Sequence, residues 1–561
     1  MLDLKNAALT ESSAGYLVSS GASPEYWGEL PQAEFSGLLD RIESENDFDV
    51  TIFQYFAGHS RKDLFPYITD CWGRGSWHAL LASAECGVAV DLGAGLGAIT
   101  EYLSGQYHQV FSIEGCKERC RFLALRKARK RLENVTIING DVYQLPFADG
   151  SVDLVACNGV LEWVGLGSAG RVDDVQIQVL QEIRRVLKPD GVLYVGIENR
   201  WALAYFLGLP DHSGLRFTSL VPRWMASLLM RLQTPRTWFS VDAMKSCYRT
   251  YTYGRRGYDA LLRKAGFVHN SCFSVEPSYD LPAYSYPAEG CGALIKMFYR
   301  LFGSRLIPRF LHQRFCSCFF LFASKLEKND KFKSEPVFFG FREQCTLEGN
   351  SVIRLDQPGN RTEEPVLPGR NLLQLSRIAR KRVTAEELIK AFEKFSPNRL
   401  SRNSASDLQE VLALLDRLLF PLLSAVTINK VKKSLTLRHF DRHYHGDLWI
   451  GNLFLGVYQT NGQIILIDPE KQMFGSPELD MVDFIVDYAI NRRSAAGFTV
   501  DLGRLRDYCD FKNCGEELFL LSIIRQILRY SPSHRSNVFA YRYLSLLLEW
   551  ERTGAMPEGI S

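Results

Sequence analysis

The chain has 561 residues, more than one ordinary hydrophobic core accommodates, so two or three domains are expected. Its composition, 46% hydrophobic, 12% aromatic and 23% charged, is what a soluble globular protein is expected to have. Lys and Arg total 66 against 63 Asp and Glu, and the resulting net charge of +3 gives no argument for nucleic acid as a partner.

Residues 1–62 read as an N-terminal extension or cap. The opening "MLDLKNAALTESSAGYLV" has an early acidic residue and no apolar run, so it is not a secretory signal. No stretch of about 18 uncharged apolar residues follows anywhere, which argues against a membrane-spanning helix. The 13 cysteines include no Cys-x-x-Cys, and the close pairs Cys116/Cys120 and Cys316/Cys318 lack second halves at metal-site spacing. Free thiols in a reducing compartment are expected, and with them a cytoplasmic location.

From 63 to 324 short apolar runs alternate with amphipathic stretches, the pattern of βαβ units and a parallel sheet. The predicted strands are "GVAVDLG", "QVFSIEG", "NVTIING", "VDLVACNG" and "GVLYVGIEN"; the basic "CKERCRFLALRKARKRL" is helical. "LKPDGVLYVG" predicts a helix end, a Pro-Asp-Gly turn and a strand.

"VDLGAGLGAIT" closes the first strand at Asp91 and opens a helix through Gly93, Ala94, Gly95 and Gly97, a turn that permits close approach of a ligand. Dinucleotide-binding proteins use a similar turn, so the companions decide. Glu114 ends the second strand, where a carboxylate accepts both hydroxyls of a ribose. Asp141, with Val142, follows the third strand, placed for an adenine amino group. Asn158 ends the fourth. This ordered set resembles the class I S-adenosylmethionine (SAM)-dependent methyltransferases, and the resemblance implies a Rossmann-like fold with SAM as cofactor. "GVLEWVG", "IENRWALAYFLGLPDHSG" and "PSYDLPAYSYP" further resemble the methyltransferases encoded with polysaccharide and O-antigen glycosyltransferases, which implies a glycan or glycolipid acceptor.

Methyl transfer to an alkoxide needs a base near the oxygen, whereas transfer to a phosphate oxygen needs mainly positioning and charge neutralisation. Asp211 and His212 of "LPDHSG" are candidates for such a pair, with His212 as the catalytic residue; a loop histidine that hydrogen-bonds the fold is the other reading. Glu162, Glu198 and Asn199 lie at predicted strand ends, where α/β sheets bind ligands.

"ALIKMFYRLFGSRLIPRFLHQRFCSCFFLF" interleaves aromatic and aliphatic residues with Lys296, Arg300, Arg305, Arg309 and Arg314. It reads either as a basic amphipathic face in peripheral contact with the inner membrane or with glycosyltransferases, or as a core helix and the last strand of the domain. The charged, apolar-poor 325–334 reads as the linker.

Residues 335–561 begin with strand-like "EPVFFGF" and "SVIRL" and continue as mostly helical text. In "HYHGDLWIGNLFL" Asp447 is placed as the base or orienter of an attacking hydroxyl, Asn452 as a magnesium ligand, and Asp468 of "GQIILIDPE" as the second metal ligand. Asp480 stands where related folds anchor the catalytic loop. The set resembles the aminoglycoside phosphotransferase and choline kinase group, which implies ATP and Mg as cofactors and a protein-kinase-like (α+β) fold. The N-lobe is reduced: "SVIRL" carries Arg354 where a phosphate-pairing Lys is expected, and no dense glycine loop precedes it.

The expected architecture is therefore α/β, a Rossmann-like methyltransferase domain followed by a kinase-like domain. The domain order resembles the bifunctional methyltransferase–kinase that terminates O-antigen chains. Three functions follow: a bifunctional enzyme modifying or capping a surface polysaccharide or its glycolipid precursor, the same pair of enzymes on a small molecule or sugar nucleotide, or a methyltransferase whose second domain only binds or scaffolds.

Overall fold

The structure, a computed structural model, describes residues 9–19, 28–57, 59–61, 63–81, 87–232, 247–282, 284–287 and 314–326. Beyond these it describes the strands named below and separate segments, of which the longest are 422–437, 476–491, 502–529 and 537–556. Two compact units result: 1–52 with 66–293 and 306–364, and 53–65 with 294–305 and 365–561.

The first unit is built on one sheet. Its centre is parallel: β3 (Val88–Leu92), β4 (Gln109–Glu114), β5 (Val135–Asn139), β6 (Val152–Asn158) and β7 (Leu187–Glu198) lie in the order β5-β4-β3-β6-β7. All five predicted strands are present. Beside β7 the sheet continues with the antiparallel β10 (Cys318–Ser324), then β8 (His269–Glu276) and β9 (Tyr284–Pro287). The order reverses at β3, so the crevice beyond its carboxyl end, between its β4 and β6 neighbours, is where such a sheet takes a ligand.

Alternation explains why these runs are continuously apolar. Val90, Leu92, Phe111, Ile113, Val155, Leu193 and Val195 face a core closed by the helices Val172–Val186 and Arg255–Lys264. Their neighbours Ala89, Val110, Leu154, Ala156, Val192 and Tyr194 face a second core with Trp77, Ile99, Leu103 and Leu123. Both faces are covered, as parallel strands require. Trp77 stacks on Tyr194, ring centroids 3.8 Å apart and planes within 8°.

Several expectations change. "LKPDG" does not form a separate turn: the helix ends at Val186 and β7 begins at Leu187. The extra residues are absorbed as an irregularity, with Val152 opposite Leu187 but Leu154 opposite Val192. Of the N-terminal segment 1–62, residues 1–52 group with the first unit and the rest with the second. A hairpin of β1 (Thr10–Glu11) and β2 (Leu17–Val18) adds to the sheet edge, β2 running parallel to β5. The helix Gln32–Ser44 packs on the basic helix Lys117–Lys130, where Phe35 stacks on Phe122 at 5.9 Å and Arg121 pairs with Asp40 at 3.2 Å and with Glu43.

The division between units also falls elsewhere than 325–334. "EPVFFGF" and "SVIRL", expected as the start of the second domain, supply β11 (Val337–Phe339) and β13 (Ser351–Asp356). With β12 (Glu343–Glu348) and β14 (Arg361–Pro365) these strands extend the first unit's sheet, β11 pairing with β9. The edge of β9 presents unpaired backbone groups that a following strand satisfies. Residues 327–336 and the arginines 300, 305 and 309 with Lys296 lie outside the described residues. From Cys316 onward that basic segment turns into the buried β10, as the second of its two readings expects.

The second unit is mostly helical: Ala425–Leu437, Pro477–Asn491, Leu502–Tyr508, Phe511–Arg529 and Asn537–Thr553. It also holds a three-stranded sheet of β15 (Gly369–Asn371), β17 (Leu453–Gly456) and β18 (Ile464–Leu466), and a pair of β16 (Lys381–Val383) with β19 (Phe498–Val500). Its core contains an ionic cluster. Arg525, 1% exposed, donates to Asp480 at 2.9 Å and to Asp483 at 2.5 and 3.0 Å, and Ser522 donates to Asp483 at 2.5 Å. Removing the cation leaves two buried carboxylates without their counter-charge. We expect Arg525→Ala to cost roughly 3–5 kcal/mol in denaturant unfolding; an unchanged midpoint would show that the cluster holds nothing together.

Candidate active site

The glycine-rich turn leaves β3 at the switch point. Gly93, Gly95 and Gly97 have φ of +69°, +57° and +81°, the left-handed region that glycine adopts without strain. A Cβ at Gly93 would meet Val160 at 2.4 Å and one at Gly97 would meet Leu123 at 2.4 Å, so both also lack room for a side chain. The Ile113 carbonyl, near the end of β4, accepts from the amides of Gly93 and Ala94 at 2.8 and 3.0 Å. The turn and the neighbouring strand end are thereby one rigid piece.

Glu114 completes that piece. Its carboxylate accepts from the Gly95 amide at 2.8 Å and from the Cys116 amide at 2.9 Å, and Arg119 stands 3.7 Å away. Asp141 accepts from the amides of Tyr143 and Gln144 through Oδ1, at 2.7 and 3.0 Å, which fixes the loop after β5. Val142 packs at the margin of the first core. Asn158 accepts from the Tyr194 hydroxyl at 2.8 Å and donates to Asp280 at 3.3 Å. Asp91 differs from expectation in its engagement: it points into the second core and accepts from the Thr100 hydroxyl at 2.7 Å. Burial pushes its carboxyl up to about 6, against the Thr100 hydrogen bond that holds it down.

The sequence gives no sign of Arg74, which pairs with Asp280 and lies over the Tyr67 ring at 4.1 Å. Arg74 and Asp280 are separated by some two hundred positions and sit in no shared motif, so only the fold brings them to Asn158.

At the ends of β6 and β7 a second group forms. His212 Nε2 lies 2.9 Å from Glu198 Oε1 and 3.7 Å from Glu162 Oε1. Burial lowers a histidine, but the charges of Glu198 and Glu162 prevail and raise this imidazole to about 9. Burial, then the like charge of Glu198, pushes Glu162 up to about 8; in Glu198 the upward pull of burial is overcome by His212, which holds it low. Asp211 is not the partner of His212. It accepts from the Ser213 amide and hydroxyl, the Thr218 and Ser219 hydroxyls and Tyr248, at 2.5 to 2.9 Å, so its lone pairs are spent on the loop. Asn199 is likewise structural, donating to the carbonyls of Arg314 and Cys316. A cavity of about 510 Å³ opens beside Glu198 and His212, bounded also by Tyr205, Leu209, Ser278 and Cys318. Asp447, Asn452 and Asp468 lie outside the described residues.

Residues 90–195, the stretch from β3 to β7 that carries this turn, match a family model described as a methyltransferase domain. The chain carries a class I SAM-dependent methyltransferase domain. Among curated relatives, the uncharacterized methyltransferase C25B8.09 of Schizosaccharomyces pombe is 32% identical over 24% of this chain and 46% of its own length. The uncharacterized methyltransferase YcgJ of Bacillus subtilis is 29% identical over 20% of this chain and 42% of its own. The chain thus spans less than half the length of each of these relatives. A solved SAM-dependent methyltransferase from Thermotoga maritima, described as a possible histamine N-methyltransferase, aligns at 15% identity with a TM-score of 0.28, over 49% of this chain and 99% of that one.

The turn of this methyltransferase domain yields a direct test. Gly97→Ala should cost about 1–3 kcal/mol in thermal unfolding, from left-handed strain and the Leu123 contact. Gly105→Ala, where φ is −81° and a Cβ finds its nearest neighbour at 3.6 Å, should change stability far less. Equal effects would remove the special standing of the turn.

Proposed function

We propose that the first unit transfers a methyl group from SAM to an acceptor seated in the cavity beside Glu198 and His212. The observation that carries this reading is the Gly93–Gly97 turn fastened to Glu114 at the switch point of the sheet. The residues present suit the donor. Glu114 keeps lone pairs beyond the two amides it accepts from and would receive the ribose hydroxyls; the loop held by Asp141 would receive the adenine; the left-handed glycines leave backbone free of side chains for close approach. SAM supplies an electrophilic methyl on a sulfonium. The chain's own residues then bind and orient the acceptor at the strand ends, with His212 at the cavity wall.

For the acceptor we favour a glycan or glycolipid. Support comes from a wall that sets the acidic Glu198 and the imidazole of His212 beside the apolar Leu209, which is 55% exposed. No helix among the described residues is long and apolar enough to cross a membrane.

A second reading concerns the second unit, as an ATP- and Mg-dependent phosphotransferase. The antiparallel register of β17 and β18 supports it: Leu453, which follows Asn452 in sequence, pairs with Leu466, two positions before Asp468. The chain therefore enters and leaves this hairpin at one end, where a kinase-type site needs its two metal-binding residues.

Titration calorimetry tests both readings. Glu114→Gln should weaken SAM binding roughly 10-fold, because a hydrogen bond to a charged group is lost; unchanged affinity would remove Glu114 from the donor site. Wild-type protein should bind Mg-ATP and Asp468→Ala should not. Absence of Mg-ATP binding in the wild type would leave a methyltransferase with a non-catalytic second unit.

A further inference from the structure

We infer that Glu162, Glu198 and His212 form a binding site for one divalent transition-metal cation of the Mn²⁺ type. The three come from separate parts of the chain: Glu162 just beyond β6, Glu198 at the end of β7 and His212 in the following loop. Register brings the first two together, since Asn158 is opposite Gly196 and each strand runs out at the same edge of the sheet.

Geometry supports the assignment. One ligand atom from each residue lies within 4.8 Å of the others, with His212 Nε2 2.9 Å from Glu198 and 3.7 Å from Glu162. Metal–ligand bonds of about 2.1 Å place adjacent donors of one ion roughly 3.0–3.4 Å apart, which small side-chain adjustments reach here.

The hydrogen-bond inventory points the same way. Glu162 is 0% exposed, yet neither of its carboxylate oxygens has a hydrogen-bond partner; Glu198 Oε2 and His212 Nε2 also lack one, the His212–Glu198 approach being close without hydrogen-bond alignment. Buried carboxylate oxygens without donors are expensive, and a cation is the partner that satisfies several at once. Metal binding displaces the protons that Glu162 and His212 otherwise hold, and two carboxylates with a neutral imidazole then carry two negative charges, which a divalent ion balances. Mixed oxygen and nitrogen donors suit Mn²⁺, Fe²⁺ or Zn²⁺ better than Mg²⁺ or Ca²⁺, which favour oxygen alone.

Glu198 and His212 also line the cavity, so an ion held there keeps a face open to it. Resting on the methyl-transfer reading, the ion would bind an acceptor oxygen of a phosphate, carboxylate or diol and neutralise charge as the acceptor docks. His212 would then be a ligand and not a proton carrier.

The test uses the full chain carrying Asp468→Ala, so that the metal residues expected in the second unit do not contribute. Mn²⁺ is titrated and followed by electron paramagnetic resonance, with ¹⁴N modulation in the pulsed experiment as the signature of imidazole coordination. We expect one Mn²⁺ per chain with that modulation, at least tenfold weaker binding in Glu162→Gln, and loss of the modulation in His212→Gln, with SAM affinity retained in both. No Mn²⁺ binding, or binding that neither substitution alters, overturns the site. Should Glu162→Gln fail to fold, the ¹⁴N signal in His212→Gln decides alone. Failure of the unsubstituted protein to bind SAM would overturn the methyl-transfer reading and leave the metal result standing.

Discussion

Burial of the central strands on both faces is the constraint from which the candidate site follows. A residue inside β3, β4, β6 or β7 is committed to one core or the other, and Asp91 shows the consequence: it is occupied by Thr100 inside the second core. Polar groups that can serve a ligand therefore emerge where the strands stop. Glu114, Asn139, Asn158 and Glu198 are each the last residue of a strand, and all four strands run parallel, so their ends share one edge. The same edge carries the Gly93–Gly97 turn.

This explains how much of the site was legible in the sequence. The turn, Glu114, Asp141 and Asn158 are local: each follows a recognisable strand, and spacing along the chain reports position in the sheet. The group at Glu162, Glu198 and His212 was visible only as separate candidates. Its convergence depends on the β6–β7 register and on the path of the loop after β7, neither of which has a periodic signature. Asp211 misled for a related reason. Its place beside His212 in sequence suggests a pair, whereas the loop turns its carboxylate inward to Ser213, Thr218, Ser219 and Tyr248.

The fold was read correctly where hydrophobic alternation speaks and less well where charge was the guide. The charge of 325–334 is what a linker between domains would carry and equally what a connection between two strands of one sheet, here β10 and β11, would carry. Short strands after them carry no mark of which sheet they join; the open edge of β9 decides it. In the second unit the sequence singled out Asp480 as an anchor, but not that Asp480 and Asp483 both turn to Arg525, a residue on a helix more than forty positions away.

The buried carboxylates, taken together, separate structural from functional acids. Asp211 accepts from five donors, Asp483 from Arg525, Ser522 and Gln526, and Glu114 from two backbone amides. Each is what a low-dielectric interior demands. Among the described residues Glu162 alone is buried with neither carboxylate oxygen hydrogen-bonded, and the groups nearest it, Glu198 and His212, have orphaned atoms of their own. Other buried acids, such as Asp70 and Glu29, leave one oxygen without a hydrogen bond but engage the other, so Glu162 stands apart in using neither. An unsatisfied cluster beside a cavity is what remains when the partner is a ligand rather than the protein itself.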